Sequence, residues 1–231
     1  MQELTDGPGI DWLWKTGIVA ILRGVPAVAA LDVAQALYEG GIRVIEVALN
    51  TEGTPEMLRQ IQATYKEKLW VGAGTVLDVH LAETAVNAGA QFFVTPNLNE
   101  RVIDYAVHHR IPVFSGAFTA TEVVNTFQAG ATIVKIFPSR SVGPGYIKEL
   151  RGPLPHIPLM AVGGISAGNA AEFIQAGVQT VGVGGSLVDK QAIQEKDFAK
   201  IRQNAAELVR VVQGALTHMN KSATENASSD G

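Results

Sequence analysis

The 231-residue chain contains no cysteine. That excludes a disulfide framework, thiol chemistry and thiolate-bound metal. Its histidines, His80, His108, His109, His156 and His218, are scattered, and none stands at the H-E-x-x-H spacing or a similar ligand spacing, so no metal is expected. Excess basic charge is missing too. Lys and Arg number 18 against 22 Asp and Glu, and a net charge of -4 speaks against a nucleic-acid or polybasic membrane surface. No apolar run reaches the ~18 residues that suggest a membrane span. The opening "MQELTDGPGIDWLWKTG" carries acids and lacks the basic start and long apolar run of a signal peptide. A cytoplasmic protein with no nucleic-acid or membrane partner is expected. With 47% hydrophobic and 17% charged residues, the composition is that of an ordinary globular chain.

Short runs rich in Val, Ile and Phe alternate with longer segments of helical period. The strand candidates are "GIVAILRG" (17–24), "RVIEVALN" (43–50), "WVGAGTV" (70–76), "FFVTPN" (92–97), "PVFSGA" (112–117), "TIVKIFP" (132–138), "PLMAVGG" (158–164) and "TVGVGGS" (180–186). Amphipathic segments such as "AALDVAQALYEGG", "HLAETAVNAGA" and "NAAEFIQAGV" lie between them, several closing on the glycine that ends helices. Strands alternating with helices pair in parallel through right-handed crossovers. Eight such units predict an α/β chain folded as a single-domain (β/α)8 TIM barrel, for which ~250 residues is typical. A doubly wound open sheet is the alternative, but the chain has no dinucleotide fingerprint. Residues 17–215 form the expected barrel. Residues 1–16 are an N-terminal extension whose short helix covers the barrel bottom. Residues 216–231 have the polar composition of a disordered tail.

Strand alternation says which side chains point inward. In "RVIEVALN", Ile45, Val47 and Leu49 suit the helix layer, so Glu46 faces the interior. In "TIVKIFP", Val134 and Ile136 face the helices and Lys135 faces inward with Ile133 and Phe137. Arg23 shares the face of Val19 and Ile21, and Thr75 that of Val71 and Ala73, both near the C-terminal ends of their strands. Catalytic groups of this fold come from those ends. A lysine is almost never fully buried without compensation. Desolvation lowers its pKa from about 10.4 toward the range where a neutral amine is available. Such an amine forms a Schiff base with a carbonyl, and a desolvated glutamate with a raised pKa can move the proton that the resulting iminium makes labile. The competing reading is a structural Lys135–Glu46 ion pair, although buried pairs add little net stability.

"AVGGISAGN" and "VGVGGSL" place glycine-rich turns after strands seven and eight, where this architecture often binds phosphate. Gly163, Gly164, Gly184, Gly185 and Ser186 are the candidates, with tight-turn geometry alone as the alternative. Arg140, just after the lysine strand in "PSRSVGP", either touches that phosphate or is a solvated loop arginine. Trp12, Trp14 and Trp70 are expected to pack in the core or the bottom cap. The substrate class expected is a phosphorylated carbonyl compound.

"EVALNTEGT", "GAGTVL", "FVTPN", "KIFPS", "GPGYIK" and "AVGGIS", in that order over roughly residues 17 to 190, resemble the class I aldolases for 2-keto-3-deoxy-6-phosphogluconate and 2-keto-3-deoxy-6-phosphogalactonate. The resemblance implies that Lys135 forms the Schiff base with pyruvate or the keto acid and that Glu46 is the general acid/base. It implies that Thr75, Pro96 and Phe137 line the pyruvate pocket and that the glycine turns with Ser186 hold the phosphate. It further implies a homotrimer needing no metal or other cofactor, and reversible cleavage to pyruvate and D-glyceraldehyde 3-phosphate. Many gluconate-type members carry an arginine where this chain has Asn50, so Asn50 is a candidate substrate contact without that charge and Arg23 in "ILRG" is expected to supply it. Val162 in "AVGG" matches the galactonate type, whose valine cannot make the hydrogen bond of the gluconate type's threonine. A galactonate-type or relaxed specificity is expected, with 4-hydroxy-2-oxoglutarate as a further substrate. Two other classes stand beside this one: a phosphate-binding isomerase or synthase without a covalent lysine, and a non-catalytic phosphosugar-binding protein.

Overall fold

The computed structural model describes the backbone of residues 8–229 and the side chains of residues 9–219. Eight parallel strands close into a barrel in sequence order: β1 (Ile18–Leu22), β2 (Val44–Ala48), β3 (Trp70–Gly74), β4 (Phe93–Val94), β5 (Val113–Ala117), β6 (Ile133–Ile136), β7 (Leu159–Val162) and β8 (Thr180–Val183). Closure pairs β1 with β8 as well as with β2, so no strand edge is left open. The connecting helices are α2 (Ala30–Glu39), α3 (Thr54–Tyr65), α4 (Val79–Asn87), α5 (Glu100–His108), α6 (Ala120–Gln128), α7 (Gly143–Arg151), α8 (Ala170–Gln175) and α9 (Lys190–Gln194). The expected (β/α)8 barrel is therefore the fold.

Local chemistry sets several helix starts. Asp78 accepts the N–H of Leu81 at the start of α4, and Asn99 accepts those of Arg101 and Val102 at the start of α5. Thr119 and Glu122 form a capping box on α6, each side chain meeting the other's backbone N–H. These bonds satisfy donors that a helix start leaves free, each contributing about 1 kcal/mol.

Alternation along the strands builds two separate apolar regions. Ile45, Val47, Val134 and Ile136 point outward and pack against the helices. Val19, Val44, Trp70, Phe92, Phe114, Ile133 and Met160 point inward and fill the lumen. The rings of Trp70, Phe92 and Phe114 pack with centroids 4.5, 5.0 and 5.9 Å apart, which excludes water from the lower half of the barrel. Helix α1 (Pro8–Thr16) closes this end, with Ile10 and Leu13 buried in the lumen cluster and Trp12 and Trp14 packed on it. The tryptophans are packing residues, as expected.

Two boundaries differ from the sequence expectation. Strand β4 has only two residues where 92–97 was expected. Pro96 has no N–H to continue the ladder, and the chain turns at Thr95, whose hydroxyl donates to the Asn97 carbonyl at 2.6 Å. The last helix, α10 (Phe198–Ser229), runs through the boundary expected at 215. Leu216 and Met219 lie against the core, and of the tail expected over 216–231 the side chains beyond 219 lie outside the described residues.

Candidate active site

Lys135 lies in the middle of β6, paired in register with Gly116 and Met160, and is 3% exposed. Its ammonium nitrogen stands 4.9 Å from the Phe137 ring centroid. Glu46 lies inside β2, level with Ile21 and Gly72, and is 1% exposed. Among the described residues neither of its carboxylate oxygens has a hydrogen-bond partner. The ion pairs closer than 4.0 Å among the described residues, Arg59–Glu56, Lys200–Asp189 and Arg202–Glu39, are all at the surface. Lys135 and Glu46 are therefore not a contact ion pair.

Burial pushes the Lys135 amine below its ordinary range; the Glu46 charge opposes that shift and Arg23 adds to it. Burial likewise pushes the Glu46 carboxyl up, against the lowering influence of Lys135 and then Arg23. A buried amine and carboxyl displaced toward each other is the arrangement expected of a nucleophile and its proton carrier.

Arg23 follows β1 directly and its Nη2 donates to the Thr75 hydroxyl over a long 3.4 Å. Alternation alone does not put Thr75 there. Val71 and Ala73 pack outward on the helices, and a regular strand would send Thr75 the same way. Strand β3 ends at Gly74 and Thr75 takes a φ of 61°, so the alternation breaks. A β-branched residue in the left-handed region is strained.

A cavity of about 880 Å³ opens over the C-terminal ends of β1, β6, β7 and β8. Of the candidates, Arg23, Lys135, Phe137, Val162, Gly163, Gly164, Gly184, Gly185 and Ser186 line it. Glu46 does not line it, although Ile21, level with it on β1, does. Asn50 is an exposed turn residue after β2, and Pro96 is half-buried with its backbone beside Gly116; neither they nor Thr75 line this cavity. Gly163 and Gly164 have φ of 98° and 76°, conformations that need glycine. Among the described residues no acceptor meets the N–H groups of Gly163, Gly164, Gly184 or Gly185. Four free N–H groups on one cavity wall suit an anion. The Ser186 hydroxyl donates to the Ile165 carbonyl at 2.6 Å, so it must turn away from that carbonyl to donate to a ligand.

Sequence reasoning missed two supporting residues. The buried Ser139 hydroxyl donates to the Ile136 carbonyl at 2.7 Å and accepts the Val162 N–H at 3.1 Å, tying β6 to β7 just beyond Lys135. Gly74 leaves the space that the Glu46 carboxylate fills. Arg140, left open between two roles, packs its side chain over Gly164 and lines the cavity. Among the described residues no group of three or more His, Asp or Glu is arranged to hold a metal ion.

A closed parallel barrel with its ionisable groups gathered at the C-terminal mouth is the frame of a (β/α)8 enzyme. Residues 10–204 match the family described as KDPG and KHG aldolase. The chain is 36% identical over 205 residues to the 2-dehydro-3-deoxy-6-phosphogalactonate aldolase of Escherichia coli K12, covering 86% of this chain and all of that one. It is 34% identical to the 2-dehydro-3-deoxy-phosphogluconate aldolase of Treponema pallidum, over 79% and 87% of the two chains. A solved structure described as native KDPGal superposes with a TM-score of 0.81 at 35% identity, covering 87% of this chain and 96% of that one. The chain belongs to the KDPG and KHG aldolase family, and it is a carbon–carbon lyase.

Proposed function

We propose that the enzyme is a class I aldolase that cleaves a 2-keto-3-deoxy-6-phospho sugar acid to pyruvate and D-glyceraldehyde 3-phosphate through an imine on Lys135. The observation that carries this reading is a lysine 3% exposed, outside any contact ion pair, lining the cavity at the barrel mouth. Its neutral amine adds to the C2 carbonyl of the keto acid, and loss of water leaves an iminium. Glu46 takes the proton of the C4 hydroxyl, the C3–C4 bond breaks to release the aldehyde, and the bonding pair passes into the iminium as an enamine. Protonation at C3 and addition of water then free pyruvate and regenerate the amine. The iminium is the electron sink, so the reaction calls for no metal or organic cofactor.

In this reading Arg23, with Thr75 at its guanidinium, holds the keto-acid carboxylate, and Phe137 covers the pyruvate end. The free N–H groups of the two glycine turns, with Ser186, receive the phosphate. Val162, 5% exposed, presents only methyl groups to the cavity, which favours the galactonate-type epimer or a relaxed preference. A shorter 4-hydroxy-2-oxo acid is accepted at the same lysine. Neither Asn50 nor Pro96 carries a side-chain role in this reading; Asn50 is exposed, and the Pro96 backbone shapes the wall at Gly116. The enzyme works in the cytoplasm as a homotrimer, a state supported by the family resemblance and tested by light scattering.

Replacing Lys135 with alanine tests the assignment. Cleavage of the phosphorylated keto acid is expected to fall to background while the circular dichroism of the fold is retained. Turnover that survives in a folded variant would move the reading to a barrel isomerase or synthase without a covalent lysine.

A further inference from the structure

Two charged side chains line the cavity at its glycine-turn side, Arg140 and Glu172, and the mechanism uses neither. Arg140 lies in the short turn Ser139–Ser141 after β6. Its backbone N–H donates to the Gly163 carbonyl at 2.9 Å, fixing the residue to the first glycine turn. Its side chain then runs flat over Gly164. A β-carbon at position 164 would come within 2.5 to 3.1 Å of the Arg140 Nε, Cβ and Cδ atoms, so glycine there makes room for the arginine. The guanidinium makes no hydrogen bond or ion pair among the described residues.

We propose that Arg140 is a specificity-determining residue that binds the terminal phosphate of the substrate beside the free N–H groups of Gly163 and Gly164. This rests on the proposed aldolase reading and deepens it at the phosphate end. Backbone N–H groups alone bring only partial charge to a dianion. Glu172, on the same wall, has the sign that repels one. The compensating cation has to sit at this end of the cavity, because Lys135 and Arg23 serve the keto-acid end. A guanidinium meets phosphate through two parallel N–H donors, a geometry an ammonium does not reproduce. The packed stem over Gly164 holds that fork in place before substrate arrives, which reduces the entropy lost on binding.

The test compares the whole enzyme with Arg140→Met and Arg140→Lys. Borohydride trapping with pyruvate, which needs no phosphate, reports separately on Lys135 and on folding. The trapped yield is expected to match wild type in both variants. Cleavage of the phosphorylated keto acid is expected to lose about 10- to 100-fold in kcat/KM, carried mainly by KM, with lysine recovering part of the loss. Condensation of pyruvate with unphosphorylated glyceraldehyde is expected to change less than threefold, and competitive inhibition by inorganic phosphate is expected to weaken with the same ranking. Equal losses on phosphorylated and unphosphorylated aldehydes, or unchanged KM and phosphate inhibition, would overturn the role of Arg140. Absence of a pyruvate adduct in the wild-type enzyme would instead strike the Schiff-base reading beneath it.

Discussion

The carboxylate of Glu46 occupies the space that a side chain on Gly74 would fill. The two residues face the lumen from adjacent strands, Glu46 level with Gly72 and Ala48 level with Gly74, so the acid leans along the barrel toward its mouth. The position of this carboxylate is thus set by what its neighbour lacks. Gly74→Ala is expected to displace the carboxylate, with kcat falling about 100-fold, since small misplacements of a catalytic group are costly. Overpacking should also remove about 1 to 3 kcal/mol of stability in urea unfolding. An unchanged kcat would show that the carboxylate has no tuned position.

Glu46→Gln separates the two halves of the chemistry by pH. Burial lowers Lys135, Glu46 opposes it and Arg23 adds to it. Removing the negative charge leaves only the two lowering influences, so the amine becomes neutral at a lower pH. The equilibrium yield of pyruvate adduct should therefore shift to lower pH in this variant, while carbon–carbon cleavage falls by about 100- to 10,000-fold. A shift of the adduct profile to higher pH would contradict the electrostatic account.

Much of the site was legible before the fold was known, because strand alternation is a strict rule wherever one face is buried. The alternation of Ile45, Glu46 and Val47, and of Val134, Lys135 and Ile136, assigns both ionisable side chains to the lumen, and the structure agrees. The rule fails at strand ends. Thr75 reaches Arg23 only because its backbone leaves the strand conformation, which no periodicity announces. Ser139 and Gly74 were illegible for another reason: their roles are contacts with neighbouring strands, made by barrel closure. Arg140 could not be decided from sequence because its role depends on whether its stem meets Gly164. Continuation of the last helix past 215 rests on Leu216 and Met219 meeting the core, which the polar residues after them conceal.

Thr75→Gly should divide stability from binding. The native φ of 61° costs a β-branched residue about 1 to 2 kcal/mol, which glycine relieves, less the entropy glycine itself loses on folding. Stability is expected to hold or rise by about 1 kcal/mol. Arg23 loses its hydroxyl contact, so KM for pyruvate in the condensation direction should rise several-fold. A destabilised variant with unchanged KM would show that the hydroxyl supports the fold and not the substrate.

The central claim is that the Lys135 amine attacks the substrate carbonyl. Borohydride reduction in the presence of pyruvate, followed by peptide mass spectrometry, tests it directly. A reduced pyruvyl adduct on the peptide containing "IVKIFP", localised to Lys135, is the predicted result. An adduct on another lysine, or none on a fully active enzyme, would contradict the account and leave Lys135 as a buried structural cation.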